Sequence, residues 1–336
     1  MTIARLCPCE RVPVSKAPGA VAVCWAASLS VQVTESPTFT VTEAGTKRKV
    51  SMLTAAETAS DALDSARRHA NIVAATTMRL IVRALIARTI IRVPTMSAPF
   101  EALARDASRI GLALSPAQLV VCERLAAELI ERNTNVNLTA ITDPAGIATK
   151  HFLDSFTALA VREWSGRERV VDVGSGAGFP GLALRIAFQA SSAALVDSAG
   201  KKCRWLEEVA VTLGLDRVTV HNGRAEALGT ELAHRGRYDV GTARAVGSLA
   251  DCIEYLVPLL VVGGDAIVWK GKVDAELPAA SRAAAAIGAE VTAIVPTSSI
   301  GVGELLPGRH LVVVRKTRPT PSRFPRTSAD IRRRPW

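Results

Sequence analysis

Cysteine is sparse and unpaired. Six residues, Cys7, Cys9, Cys24, Cys122, Cys203 and Cys252, are scattered over 336 positions. None belongs to a C-x-x-C pair and none clusters with histidine. That excludes the common zinc and dithiol patterns and suits a reducing compartment. No run is long and apolar enough to read as a membrane-spanning helix. A cytoplasmic chain with no metal and no membrane attachment is therefore expected. No Gly-Lys-Ser/Thr follows the glycine-rich stretch at 174–181, so a P-loop is excluded as well.

What is present is enough apolar material for a large core, at 49% of residues, and an uneven charge. The net charge is +10. Residues 1–95 carry 12 Lys/Arg against 6 Asp/Glu, residues 96–314 carry 21 against 24, and residues 315–336 carry 8 against 1. Basic ends on a slightly acidic middle suggest a polyanion met by an appended arm, although a basic run on its own is usually a solvated tail.

Residues 1–95 do not open like a compact domain. Three readings compete. Residues 19–29 behind Arg5, Arg11 and Lys16 weakly imitate a signal peptide. Residues 61–93, carrying Arg79, Arg83, Arg88 and Arg92, fit an amphipathic targeting helix. The third and favoured reading is a translated upstream region, with Met96 as the natural start. The segment is expected to be poorly ordered or loosely helical.

From Ser97 the texture changes. Residues 100–112 and 116–132 have helical patterns, the second capped by Ser115 with Pro116 at its first position. Asn133, Asn135 and Asn137 suit a loop that satisfies its own backbone. Asp143-Pro144 opens a third helix through Lys150 to Ser155. Then strand and helix alternate. Strands are expected at 170–173, 193–196, 217–221, 238–243 and 265–269, with a closing antiparallel pair at 290–296 and 310–315. Helices are expected from Pro180 and at 201–213, 249–260 and 274–287. Such alternation predicts an α/β doubly wound sheet with a small N-terminal helical cap. The expected divisions are an extension (1–95), a cap (96–160), a cofactor-binding domain (161–316) and a basic tail (317–336).

Ligands of such sheets lie beyond the carboxyl ends of the strands. Asp172, Asp197, Arg224 to Glu226, Arg244 and Lys270 all fall there. The stretch Val170-Val171-Asp172-Val173-Gly174-Ser175-Gly176-Ala177-Gly178-Phe179-Pro180-Gly181 is a buried strand, a glycine turn and a helix start. Without Cβ atoms, backbone can approach a ligand closely. Gly176 to Gly181 matches the dinucleotide fingerprint, and Asp197 stands where an acid binds ribose hydroxyls. NAD and S-adenosylmethionine (SAM) both fit that much. Two details favour SAM. Asp172 precedes the first glycine, where an acid can hold the methionine ammonium, and the alternating Gly174, Gly176, Gly178 extends nearer the strand than a dinucleotide needs. No second domain carries an acid/base histidine for a dehydrogenase.

Asn133-x-x-x-Asn137-Leu138-Thr139, Lys150-His151-x-Leu153-Asp154-Ser155, the glycine stretch, Asp197-Ser198 with Lys201-Lys202, Arg224-Ala225-Glu226, Arg244-Ala245 and Lys270-Gly271 together resemble the RsmG (GidB) family over about residues 97–326. The resemblance implies a class I SAM-dependent methyltransferase fold, Rossmann-like with its last strand antiparallel. It implies methylation of N7 of a guanine in the 530 loop of 16S ribosomal RNA, with that RNA or the small ribosomal subunit as partner; a monomer is expected, although the sequence itself does not give the oligomeric state. Gly174, Phe179, Ala225, Glu226 and Arg244 match the family's SAM-contacting positions; Asp172, Gly176, Gly178 and Asp197 join them from the reading of the loop. Arg323-Phe324-Pro325-Arg326 resembles the family's ending, but residues 327–331 depart from it before Arg332-Arg333-Arg334.

Guanine N7 already carries a free lone pair, so no general base is needed and no catalytic residue is assigned. The sequence has no Asn-Pro-Pro-Tyr of exocyclic-amine methyltransferases and no cysteine nucleophile at a strand end. Lys150, Arg244 and Lys270 are candidates for positioning RNA or guanine, with Lys201, Lys202, Arg204 and the tail for phosphate contacts. Each has a plainer reading. Asp197 would cap the next helix, Arg244 and the lysines would be solvated, His151 would be a packed core residue, and Cys203 and Cys252 ordinary helix-face residues. The alternatives are a methyltransferase acting on another RNA, a small molecule or a protein, a dehydrogenase, and a non-catalytic RNA-binding protein.

Overall fold

The computed structural model describes residues 96–336 apart from Ala190, and the backbone of four short strands within residues 1–51. The chain divides into two compact units, Met1–Arg92 and Val93–Trp336. In the first, Val23–Cys24 pairs with Ser28–Leu29, and Thr38–Glu43 with Thr46–Ser51, both antiparallel. These pieces are extended where disorder or loose helix was expected. The β-branched alternation in Thr38-Phe39-Thr40-Val41-Thr42 is the local signal for the longer pair. The expected helix over residues 61–93 lies outside the described residues.

The second unit is built on seven strands: β1 (Arg169–Val173), β2 (Ser192–Asp197), β3 (Val218–Asn222), β4 (Tyr238–Arg244), β5 (Leu260–Lys270), β6 (Ala289–Pro296) and β7 (His310–Lys316). Their order is β6-β7-β5-β4-β1-β2-β3. β7 runs antiparallel to β5 and β6, and the other neighbours are parallel. Parallel strands need crossover helices, and these cover both faces. Alternate residues then serve different cores. Val171, Ala243, Val268 and Val312 pack on one face, while Val170, Val240, Ile267 and Leu311 pack on the other. β1 is flanked by β2 and β4, so the winding reverses there and leaves a crevice at the carboxyl ends.

The helices are α1 (Ala98–Ser108), α2 (Pro116–Asn133), α3 (residues 144–156), α4 (Gly181–Ala187), α5 (Gly200–Thr212), the single turn α6 (Ala225–Leu228), α7 (Leu249–Leu256), α8 (Leu277–Ile287) and α9 (Ser328–Arg333). Ser115 and Gln118 form a capping box at α2. The Gln118 amide also donates to the carbonyls of Ile186 and Ala187 (3.0 and 2.9 Å), finishing α4 and fastening cap to sheet. The asparagine loop satisfies itself as expected. Asn133 Oδ1 accepts from Leu138 and Thr139 N–H, and its Nδ2 donates to the Thr139 carbonyl.

Three elements differ from expectation. α3 is wound as a π-helix over Ile147–Leu153. α7 stops at Leu256 because Pro258, which has no N–H, sits in a 3-10 turn, Val257–Leu259. β5 begins at Leu260, five residues before the expected Asp265, and absorbs Gly263 at φ 87° where its register to β4 shifts. No helix among the described residues is long and apolar enough to cross a membrane.

Candidate functional site

The site begins where β1 ends. Gly174, Gly176 and Gly178 take φ of 72°, 57° and 105°, a region unfavourable to side chains. A Cβ on Gly178 would come within 2.5 Å of Leu182, whereas one on Gly176 would meet nothing nearer than 3.8 Å. The middle of the loop is therefore open, and its flanks are packed. Gly174 and Ser175 N–H donate to the Val196 carbonyl (2.8 and 3.1 Å), which ties the loop to the end of β2. The Trp205 indole on α5 holds the Ala177 carbonyl at 3.2 Å.

The two acids play different structural parts. Asp172 is fully buried beneath the loop. It accepts from Gly181 N–H (3.1 Å) and from the Thr242 hydroxyl on β4 (2.7 Å). Burial pushes its carboxyl up to about 6, against these bonds and the charge of Arg244. Asp197 ends β2 at 8% exposed. Its Oδ2 accepts from Gly176 N–H (3.0 Å) and its Oδ1 from Ala199 N–H (2.8 Å). The capping contact of the plainer reading is thus present, together with a bond to the loop. An ionised carboxylate has about four acceptor positions, so two remain for hydroxyl donors.

β3 ends beside them. Gly223 N–H and the Asn222 amide both donate to the Asp197 carbonyl (3.0 and 3.2 Å). Ala225 and Glu226 follow in α6, both largely buried, and the Ser328 hydroxyl donates to Glu226. At the end of β4, Arg244 turns toward the cap. It donates to Asp154 (2.9 Å), to His151 Nδ1 (3.3 Å) and to the Lys150 carbonyl (3.3 Å), and lies 5.9 Å from the centre of the Phe179 ring. Asp154 is fully buried and also binds Arg309 (3.1 Å).

His151 is a packed residue. Its ring stacks on Phe179 at 4.8 Å, and Phe152 meets that ring edge-on at 4.9 Å. Burial, then the charge of Arg244, lowers its pKa to about 4. An arginine always donates, so Nδ1 is the acceptor and Nε2 carries the proton shared with Thr139 (2.9 Å).

The nine residues assigned to the cofactor thus gather at the carboxyl ends of β1 to β4, but Asp172, expected to hold a methionine ammonium, is buried beneath the loop and spends its oxygens on Gly181 and Thr242. Of the positioning candidates, Arg244 joins them and Lys150 is exposed at the cap side. Lys270 is turned away, with its ammonium on the Gly247 carbonyl (3.0 Å) and Glu276 (2.8 Å). A cavity of about 970 Å³ lies at the opposite ends of the strands, against Arg162, Glu168, Asp239 and Asp265. Its size does not make it the site, since the loop and acids converge elsewhere.

A profile of the family described as rRNA small subunit methyltransferase G matches residues 118–305, more than half of the chain and all of the strand ends above. The chain belongs to this family. Ribosomal RNA small subunit methyltransferase G of Roseiflexus castenholzii is 42% identical over 236 residues, covering 70% of this chain and 99% of that protein. The Synechococcus elongatus protein of the same name is 41% identical over 221 residues (65% and 89%), and that of Chloroflexus aggregans 41% over 230 (67% and 93%).

For a member of the rRNA small subunit methyltransferase G family, several supporting residues were not foreseen. Thr242, Trp205 and Arg309 carry no local signal, since each acts on a partner distant in sequence. Ser328 had one. Thr327-x-x-Asp330 is a helix-capping pattern, and Thr327 indeed accepts from Asp330 N–H (3.2 Å). Read as a divergent tail, it concealed α9.

Proposed function

We propose that this chain transfers a methyl group from SAM to N7 of a guanine in the 530 loop of 16S ribosomal RNA. The observation that carries the reading is the convergence at β1 to β3, in a member of this family, of an open glycine loop and an acid with acceptor capacity to spare. These residues fit SAM. The loop backbone, braced from beneath by the buried Asp172, would face its methionine part, Asp197 its ribose hydroxyls, and Ala225 with Glu226 its adenine. Bound there, SAM supplies an electrophilic methyl group.

The chain's own contribution is placement. A guanine N7 lone pair needs no proton removed, so the residues at the β4 end need only fix the base in line with the methyl group. Arg244 is suited to that. Its guanidinium is fixed by Asp154 and His151, so little side-chain freedom remains to be lost. The buried Phe179 ring, packed on His151 and Phe152, lies against it on the cap side. Lys150 offers an exposed cation for phosphate. Lys270 acts through Glu276 and the Gly247 carbonyl, shaping the loop after β4.

The test is methyl transfer from labelled SAM to small subunits lacking the modification, set beside free 16S ribosomal RNA and total protein. Label confined to one guanine N7 supports the reading. Label in protein, in small molecules or at an exocyclic amine removes it.

A further inference from the structure

Residues 317–336 look by composition like a solvated basic arm, yet they pack against the body and run up to the cofactor end of the sheet. α6, which presents Ala225 and Glu226, is a single turn and cannot hold its own position. The C-terminal segment holds it. Pro325 lies so close to Gly229 that a Cβ there would sit 2.9 Å from the ring. Arg235 Nη1 bridges the Gly229 and Phe324 carbonyls (2.8 and 2.7 Å), and Nη2 reaches those of Thr320 and Pro321 (3.0 and 3.2 Å). Phe324 is buried in the core under α7. Farther on, the Arg326 guanidinium forks onto Glu254, which is fully buried, and the Trp336 indole donates to the same carboxylate at 2.7 Å. α9 then brings the Ser328 hydroxyl onto Glu226. Between α9 and the body a cavity of about 410 Å³ remains, bounded by Arg224, Tyr255 and Glu276 on one side and Ile331, Arg332 and Trp336 on the other.

We propose that the docked C-terminal segment is part of the cofactor site and that Ser328 is a positioning residue within it. Ser328 fixes the Glu226 carboxylate at the adenine end, and α9 keeps α6 in register with the loop after β1. A free glutamate would lose rotamer freedom when a ligand bound, and the hydroxyl removes that cost beforehand. This inference rests on the SAM reading. It also departs from a bare RNA-binding arm, whose loss would leave cofactor binding untouched.

The experiment is calorimetry of the full chain with S-adenosylhomocysteine and with adenosine, for wild type, Ser328→Ala, Ser328→Thr and a chain ending at Arg326. The rotamer freedom that Glu226 would then have to lose on binding predicts that Ser328→Ala binds both ligands roughly fivefold more weakly. Ser328→Thr, which keeps the hydroxyl, binds as wild type, and the shortened chain loses at least as much as Ser328→Ala. The melting temperature of Ser328→Ala falls by only about 2–4 °C, and Ser328→Thr restores it. Unchanged affinity in Ser328→Ala overturns the proposal, as does a parallel loss in melting temperature that Ser328→Thr does not restore. Failure of the wild type to bind either ligand would instead refute the SAM reading, and this inference with it.

Discussion

Within one loop, residues of the same type carry different loads. Gly176 and Gly178 both have positive φ, but only Gly178 is also enclosed, by Leu182 at 2.5 Å and Leu206 at 3.3 Å. Gly176→Ala is expected to cost about 1 kcal/mol, the backbone penalty alone. Gly178→Ala should cost about 3 kcal/mol, since overpacking adds to it. Denaturant unfolding of the two variants checks this, and equal losses would contradict it. His151 gives a pH dependence. Burial, followed by Arg244, lowers its pKa to about 4, from an ordinary value near 6.5. The folded state therefore binds the proton less well than the unfolded chain. Its contribution is complete above about pH 6.5 and is lost as pH falls toward 4, by on the order of 3 kcal/mol. Melting curves across that window should drop less steeply in His151→Gln. A drop as steep as in wild type would assign the acid sensitivity to other groups.

At the scale of elements, a buried carboxylate ties the cap to the sheet at its cofactor end. Asp154 of α3 binds Arg244 from β4 and Arg309 ahead of β7, across 90 and 155 residues of sequence. Arg244→Met leaves that acid half-neutralised in the interior, and a loss of about 3 kcal/mol is expected. Combining it with Asp154→Asn should cost less than the sum of the two single changes. Simple additivity in that cycle would show that the pair is not coupled. The same cluster shows why legibility stops where it does. Ser115-Pro116, the alternating glycines and the apolar strand runs state their structure locally, so the sheet, the cap and the loop are readable. So are the places of Asp197, which ends β2, and of Asp172, one residue before the end of β1, though not the burial of Asp172 beneath the loop. That Arg244 leans on the cap and Lys270 on Glu276 depends on contacts between elements, which no local pattern encodes. α9 is legible through Thr327 and Asp330, and a reading of the tail by charge alone hides it.

On the scale of the whole molecule, the recognition of a folded RNA has to be spread over exposed cations around the crevice, because phosphate contacts supply most of the affinity for a nucleic acid. Lys150, Lys201 and Arg204 are exposed near it, with Lys202 partly so. RNA binding should therefore weaken steeply with salt. Replacing Lys150, Lys201 and Lys202 by glutamine should lower the slope of log affinity against log salt by about 2, at roughly 0.7 for each phosphate no longer neutralised. Filter binding with a 16S fragment at several salt concentrations measures it, and an unchanged slope would place the RNA elsewhere. The most direct test of the account remains the position of the methyl group. Small subunits lacking the modification are incubated with the chain and labelled SAM, and the labelled nucleotide is mapped. The account predicts a single 7-methylguanine in the 530 loop of 16S ribosomal RNA. A label on any other atom or nucleotide, or none in RNA at all, would contradict it.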